Sequence, residues 1–513
     1  INRVFGGHVM QVYLAGFNVD TTVLSQLQEK GEKRDDITPE VISAAYARIS
    51  RDPRPINEIR EESRKEVERS RRSNSTIIFK MGHHSVAEHA VFNLDIIGVS
   101  RFVMEELEKR RLCSYTEKSQ RYITLDKDYV LPEELKGSPL EKDFVGMIAK
   151  QNEAYFVLLE KLKKHVFEKN AKLAENPKQH GLLEGWAKED ARYITALATE
   201  SQVGVTINAR NLELLLRRFA SHPLTEVKQL GRTLYKEIAE VAPSIVIFHE
   251  ANDRDCKTYI DLEKLGRDLT EPSTQKLSKA ISGEVKLVDY TKDGDLTMAT
   301  SLLHVSSGMP YEQCKKIVAG LPKDKLANIF KTAWSNMQFY DSMLREFEYA
   351  NLTFDIVLSA ACFGQLKRHR MSTITSQPYD TSLGITIPQA ITEIGMDGYF
   401  REITEETEKT YQKIYKEVPL AAPYILTNAH RKRVLMRLSA RELYHMSRLR
   451  EDEHAQWDIR NITRAMADEG KKVMPLTFDL IGGKDRYSEI YQGIFGSLPK
   501  VTEAVLPGAK KIK

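Results

Sequence analysis

The feature that most restricts this chain is a motif that occurs twice, each time with a different part missing. Residues 367–380 read KRHRMSTITSQPYD and carry an arginine–histidine–arginine triplet, Arg368-His369-Arg370, with no Ser-x-Arg-Tyr behind it. Residues 108–122 read EKRRLCSYTEKSQRY; here Ser119-Gln120-Arg121-Tyr122 is present and the triplet has become Lys109-Arg110-Arg111. The surroundings repeat as well: FEYANLTFDIVLS answers AEHAVFNLDIIGVS, and RLSARELYHMSRL answers TINARNLELLLRR. Glu348 follows Glu88 by 260 positions and Arg368 follows Lys109 by 259, whereas Ser439 follows Asn208 by 231. Self-similarity of this kind means one structural plan used twice. The expectation is therefore a tandem duplication of one α+β domain, residues 1–275 and 276–513, with the second copy shorter in its helical middle.

Local patterns give a coarse map of each copy. HVMQVYLAGFNV, AVFNLDIIGVS and EVKLVDYT have the character of strands, the second by its clear apolar–polar alternation. TPEVISAAYARIS and RFVMEELEKRRL read as helices, as do residues 140–175 and 186–240. NEIREESRKEVERSRRS is so dense in charge that a solvated helix face is the expected reading. KMGHHSVAEH reads as a loop. HRKRVLMRLSAR reads as a basic helix able to hold a folate tail, pyridine-nucleotide phosphates or RNA; without interleaved aromatics the RNA reading is the weaker one.

Charge and composition narrow the classes of function. The 513 residues include 76 Lys and Arg against 72 Asp and Glu, a net charge of +4. That balance suits local basic pockets for small anions better than a surface that coats nucleic acid. No run approaches the ~20 apolar residues of a membrane span and the start lacks a long apolar segment, so a cytoplasmic location with no membrane partner is expected. Cys113, Cys256, Cys314 and Cys362 form no C-x-x-C pair, which argues against a disulfide framework and a thiolate zinc site, and all four are expected to be small buried hydrophobes. His83, His84 and His89 with Glu88 invite a zinc reading, but no third ligand set accompanies them and no metal is expected. Neither G-x-G-x-x-G nor a Walker pattern occurs.

These residues carry a family resemblance. The triplet, then seven residues, a serine and x-Arg-Tyr, resembles the signature of the flavin-dependent thymidylate synthases (ThyX). GHHSVAEHAVF, NAR in a helix and HAQWDIR resemble the same family. The resemblance implies two tandem ThyX-like domains, each a mixed β-sheet with long helices, and a chain that pairs as a homodimer to make a pseudo-tetramer. It further implies conversion of dUMP to dTMP with FAD as cofactor, and with NADPH and methylenetetrahydrofolate as co-substrates. No cysteine nucleophile is needed in that chemistry. The rivals are a flavin-dependent methylase of another pyrimidine nucleotide such as UMP, and a degenerate nucleotide-binding scaffold without activity.

By the same resemblance, residue roles divide between the copies. In the first, Glu117, Ser119, Gln120 and Arg121 match the nucleotide-phosphate loop and Arg192 matches an arginine that contacts dUMP. His83, Ser85, Glu88, Ser50, Asn208 and Arg210 match flavin contacts. In the second, Gln365 and Arg368 match residues reaching a nucleotide site, and Arg368, His369 and Arg370 match the flavin triplet. Arg450 matches the arginine that activates the uracil ring, and Arg441 and His445 stand at flavin-side positions. The losses mirror this division. Pro378, Asp380 and Pro423 stand at the serine and two arginine positions of the second copy, and Met343 and Arg345 replace its His and Ser. Glu106 and HPLTEVKQ replace the glutamine and HAQWDIR of the first. The expectation is a composite site, one per chain, built from both retained sets.

Overall fold

The alternation that marks AVFNLDIIGVS is borne out in detail: Phe92, Leu94 and Ile96 are buried while Asn93 and Asp95 are exposed. In the computed structural model, which describes residues 3–4, 7–30, 37–125, 127–274 and 284–500, this segment is strand β2. Four strands, β1 (Gln11–Phe17), β2 (Val91–Ser100), β3 (Cys113–Glu117) and β4 (Glu200–Asn208), form a sheet in the order β1-β2-β4-β3. Four more, β5 (Val285–Tyr290), β6 (Asn351–Ser359), β7 (Thr373–Ser376) and β8 (Arg431–Ser439), repeat that order as β5-β6-β8-β7. Every pairing in both sheets is antiparallel, which corrects the expectation of mixed sheets. The alternating pattern itself is the antiparallel signature, because such a sheet buries one face and wets the other. Gly98 adopts φ 75° where the β2–β4 register shifts, a bulge geometry that a side chain would resist.

Two other expectations fail for a related reason. The span 186–240 is not continuous helix: helix His180–Ala191 gives way to β4, and helices Ala209–Ala220 and Thr225–Ala239 follow. Within β4 the β-branched Val203, Val205 and Ile207 recur at every second position and all are buried, the period of a strand. HRKRVLMRLSAR likewise is mostly strand β8, where Val434, Met436 and Leu438 point inward. KMGHHSVAEH carries a short 3-10 turn at His84–His89.

Two helices of each copy start on side-chain caps at corresponding positions. Ser100 Oγ accepts from the Val103 N–H (3.1 Å) and Ser359 Oγ from the Cys362 N–H (3.0 Å). Asn208 Oδ1 accepts from the Asn211 N–H (2.9 Å) and Ser439 Oγ from the Glu442 N–H (3.3 Å). In each case one of the orphan amides of a helix N-terminus is satisfied.

The chain divides into two compact units. Unit 1 contains Ile1–Lys279 with Thr386–His430, and unit 2 contains Ala280–Ile385 with Arg431–Lys513. The expected boundary at 275/276 lies outside the described residues. Segment 386–430, the shortened helical middle of the second repeat, thus belongs to the unit that holds the first. Its helix Asp397–Glu417 packs on the long helix Pro139–Lys169. Buried Gln151 on that long helix donates to Thr407 Oγ1 and to the Ile425 carbonyl, both at 2.9 Å. The backbone continues the join, with Leu197 N–H to the Leu426 carbonyl at 2.7 Å and Asn428 N–H to the Thr195 carbonyl at 2.9 Å. Unit 2 packs its sheet over a core of Trp334, Phe347, Phe354, Tyr444 and Phe478. Among the described residues no helix is long and apolar enough to cross a membrane.

Candidate functional site

In unit 1 the signature loop after β3 meets the turn that follows helix His180–Ala191. Arg192 lies in that turn, buried, with its carbonyl fixed by the Thr195 hydroxyl at 2.9 Å. Arg121 pairs with the buried carboxylate of Glu189, and Ser119 Oγ accepts from the Arg121 N–H at 3.2 Å. Glu117 accepts from Ser201 Oγ (3.2 Å) and lies 3.9 Å from Arg101. Three guanidiniums, Arg101, Arg121 and Arg192, therefore sit with two carboxylates. Burial pushes the Arg192 guanidinium below its ordinary value, Glu189 opposes that, and the other two arginines add to it. Nε and Nη2 of Arg192 and Nε2 of Gln120 are buried with no hydrogen-bond partner among the described residues. Buried donors left over beside a cationic cluster are what an anion needs. Arg101 and Glu189 stand in no motif that local sequence marks and were not legible as members of this cluster.

Unit 2 builds a hydrogen-bonded chain from the other set. His369, buried after helix Ala360–Leu366, places Nδ1 3.4 Å from Glu442 Oε1. Arg450, at the end of helix Ala440–Arg450, donates from Nε to His369 Nε2 (3.1 Å) and from Nη1 to Gln365 Oε1 (3.4 Å). Gln365 Nε2 donates in turn to Gln456 Oε1 at 3.2 Å. Burial lowers the His369 pKa, with Glu442 opposing and Arg450 and His445 reinforcing the shift. A neutral ring with its proton on Nδ1 satisfies both neighbours, and its Nε2 lone pair then fixes the Arg450 fork. Glu442 was missed, and Gln456 was legible only as part of HAQWDIR. Arg368 is exposed and Arg370 half-buried at the sheet's edge.

The flavin-side positions divide differently. Glu348 and Arg441 pair at 2.6 Å, and Arg441 Nε also donates to the Met343 carbonyl at 2.8 Å. Both side chains line a cavity of 660 Å3 in unit 2 with Tyr340, Arg437, His445 and Lys484. In unit 1 the corresponding Glu88 and Arg210 also pair, while Ser50, His83 and Ser85 are exposed nearby in sequence and Asn208 serves as the helix cap.

Several side readings are corrected or refined. The cations of β8 are paired within their own sheet: Arg431 with Glu284 (2.9 Å), Arg433 with Asp355 (2.9 Å) and Arg437 with Asp289 (3.2 Å). Lys432 lies over the rings of Phe363 and Tyr379 at 4.4 and 4.3 Å. Cys256 is exposed on helix Asp253–Thr274, against the expectation of burial; Cys113, Cys314 and Cys362 are buried. Its helix presents most of its length to solvent. Charge-dense residues 57–73 are more than a solvated face, because Arg60 and Arg71 reach the buried carboxylates of Asp20 and Glu40. Among the described residues no three His, Cys, Asp or Glu side chains gather as a metal ion would require. The rings of His84 and His89 instead pack edge-on against Phe79 and Tyr46.

Two four-stranded antiparallel sheets of identical strand order, one arginine-rich set in each unit, define a duplicated scaffold. The family model described as thymidylate synthase complementing protein matches residues 35–244 and 286–476. The chain belongs to that family, the flavin-dependent thymidylate synthases, and carries its pattern twice. A UPF0159 protein of Chlamydia muridarum is 25% identical over 408 residues, 77% of each chain. A flavin-dependent thymidylate synthase of Clostridium tetani is 28% identical over 211 residues, 40% of this chain and 80% of that protein. A UMP/dUMP methylase from Streptomyces cacaoi, bound with 5-Br dUMP, superposes on 46% of this chain and 93% of its own with TM-score 0.32 and 18% identity.

Proposed function

We propose that the chain is a flavin-dependent thymidylate synthase that converts dUMP to dTMP, with methylenetetrahydrofolate as carbon donor and NADPH as reductant. One observation carries the reading: each unit retains the motif residues that the other repeat has lost, so the two sets add up to one complete set per chain. Gln120, Arg121 and Arg192 then hold the nucleotide, a guanidinium suiting a phosphate by its two parallel N–H bonds. Arg450 has Nε committed to His369 and Nη1 to Gln365. Arg450 then serves the polar edge of the uracil ring, where a guanidinium stabilises negative charge on the imide and so makes C5 a stronger nucleophile.

The residues present fit the cofactor. A cavity of 660 Å3 is in the range of cofactor sites, and its wall mixes Met343, Met371 and Tyr340 with Arg437, Arg441, Arg448 and Lys484, groups suited to a ring system and to phosphates. His445 lines this cavity, and its ring lies 6.2 Å from that of His369. FAD, when bound, supplies the hydride that completes the methyl group. Glu348 and the Met343 carbonyl hold Arg441 in place for a phosphate, and His369 keeps Arg450 oriented.

The test is tritium release from dUMP labelled at C5, run beside labelled UMP, together with the FAD bound per purified chain. Release from dUMP with about one FAD per chain supports the assignment. Release from UMP alone moves the substrate to the ribonucleotide. No flavin after reconstitution and no release overturn the enzyme reading.

A further inference from the structure

Asn428 comes from the second repeat, yet it lies inside the first repeat's nucleotide cluster, within unit 1. Its side chain is 1% exposed. Nδ2 donates to Thr195 Oγ1 at 3.0 Å, to the Arg192 carbonyl at 3.1 Å and to Gln120 Oε1 at 3.4 Å. Those three acceptors settle the amide's orientation, so Oδ1 is the atom left over, buried and with no hydrogen-bond partner among the described residues. Beside it, three donors are in the same state: Nε and Nη2 of Arg192 and Nε2 of Gln120. A buried acceptor without a partner keeps its full desolvation penalty, and an anion alone, which brings only acceptors, leaves it unsatisfied.

We propose that Asn428 is a ligand-contacting residue of this cluster: Oδ1 accepts a hydrogen bond from a ligand N–H or O–H while Arg192 and Gln120 hold the ligand's anionic group. The cluster thereby selects a molecule that carries an anion and a hydrogen-bond donor together. On the nucleotide reading above, on which this rests, the donor is either a sugar hydroxyl or the imide N–H of the pyrimidine. Pro423 marks where the second repeat gave up its own arginine; five residues on, the same segment serves the neighbouring repeat's site instead.

The test is a thermodynamic cycle on the full chain, with affinity measured by calorimetry for three probes: dUMP, its 3′-deoxy analogue without a sugar hydroxyl, and N3-methyl-dUMP. The expected result is that Asn428→Ala weakens dUMP about 10-fold, and that for one analogue wild type and variant bind alike. The analogue that levels them identifies the donor. Thr195→Val is the control, since it removes a bond to Nδ2 and leaves Oδ1 in place; it should weaken all three probes equally. Equal weakening of all three by Asn428→Ala, or none, overturns the inference and leaves the nucleotide reading standing. A wild type that binds none of them overturns both.

Discussion

At His369 two neighbours settle the tautomer, and Arg450 depends on it. Glu442 accepts from Nδ1–H, Nε2 is left as acceptor, and Arg450 Nε–H is held there at 3.1 Å. Arg450→Ala is expected to lower turnover by about 10^2-fold or more while dUMP still binds, since the lost stabilisation belongs to the transition state; single-turnover kinetics beside calorimetry separate the two. The His369 proton makes a second prediction. Burial lowers its pKa, so the ring is neutral at pH 7, and protonation at Nε2 on acidification removes the acceptor for Arg450. The acid limb of kcat should therefore lie below the ordinary imidazole value of about 6.5. Glu442 raises the His369 pKa, so Glu442→Gln should move that limb further down; a limb that stays put would separate it from His369.

At the scale of elements, caps and clasps explain substitutions that look like losses in sequence. Ser439 stands where the first copy has Asn208, and both do the same job, accepting from an amide one turn into the helix. Ser439→Ala is expected to cost about 1 kcal/mol in denaturant unfolding, and Ser439→Asn close to nothing. Glu226 of HPLTEVKQ stands where the second copy has Asp458, and each accepts from the serine cap of a helix, Ser100 Oγ at 2.8 Å and Ser359 Oγ at 2.6 Å. The longer Glu226 also takes the Tyr424 hydroxyl at 2.7 Å, clasping segment 386–430 within unit 1. Burial raises its pKa from 4.5 to about 7, the three hydrogen bonds opposing. A raised acid binds its proton more tightly folded than unfolded, so its stabilisation is complete below about pH 4.5 and is lost as pH rises through 7. The melting temperature should fall across that window by the equivalent of about 3 kcal/mol at most. Glu226→Gln should flatten the fall.

For the whole molecule, the assignment of segment 386–430 to unit 1 has a direct consequence. The helix Pro139–Lys169 buries Leu158, Leu162 and Gln151 in a unit that includes this segment. Residues 1–275 produced alone lose the helix that packs there and the acceptors of Gln151, and are expected not to remain monomeric; light scattering on that fragment decides it. A well-behaved monomer would mean the segment is an accessory. A homodimer of full-length chains completing a four-copy assembly is the matching proposal for the intact protein, read by the same method.

Much of this was legible from residues alone. Strand β2 announced itself by strict alternation, and the repeat by paired motifs about 260 positions apart. Strand β4 was read as helix because NARNLELLLRRF directly behind it has so strong a helical period, and β8 because its cations obscured the Val434–Met436–Leu438 alternation. What the sequence alone determined was the plan: two copies of one family's domain, and which copy keeps which side chains. Only the tertiary structure decided where the second copy's middle goes, and hence that Asn428 meets Arg192 across 236 positions of chain. Local propensity acts over a few residues, whereas burial of the 139–169 helix is satisfied by whatever apolar surface the folded chain brings to it, at any distance in sequence.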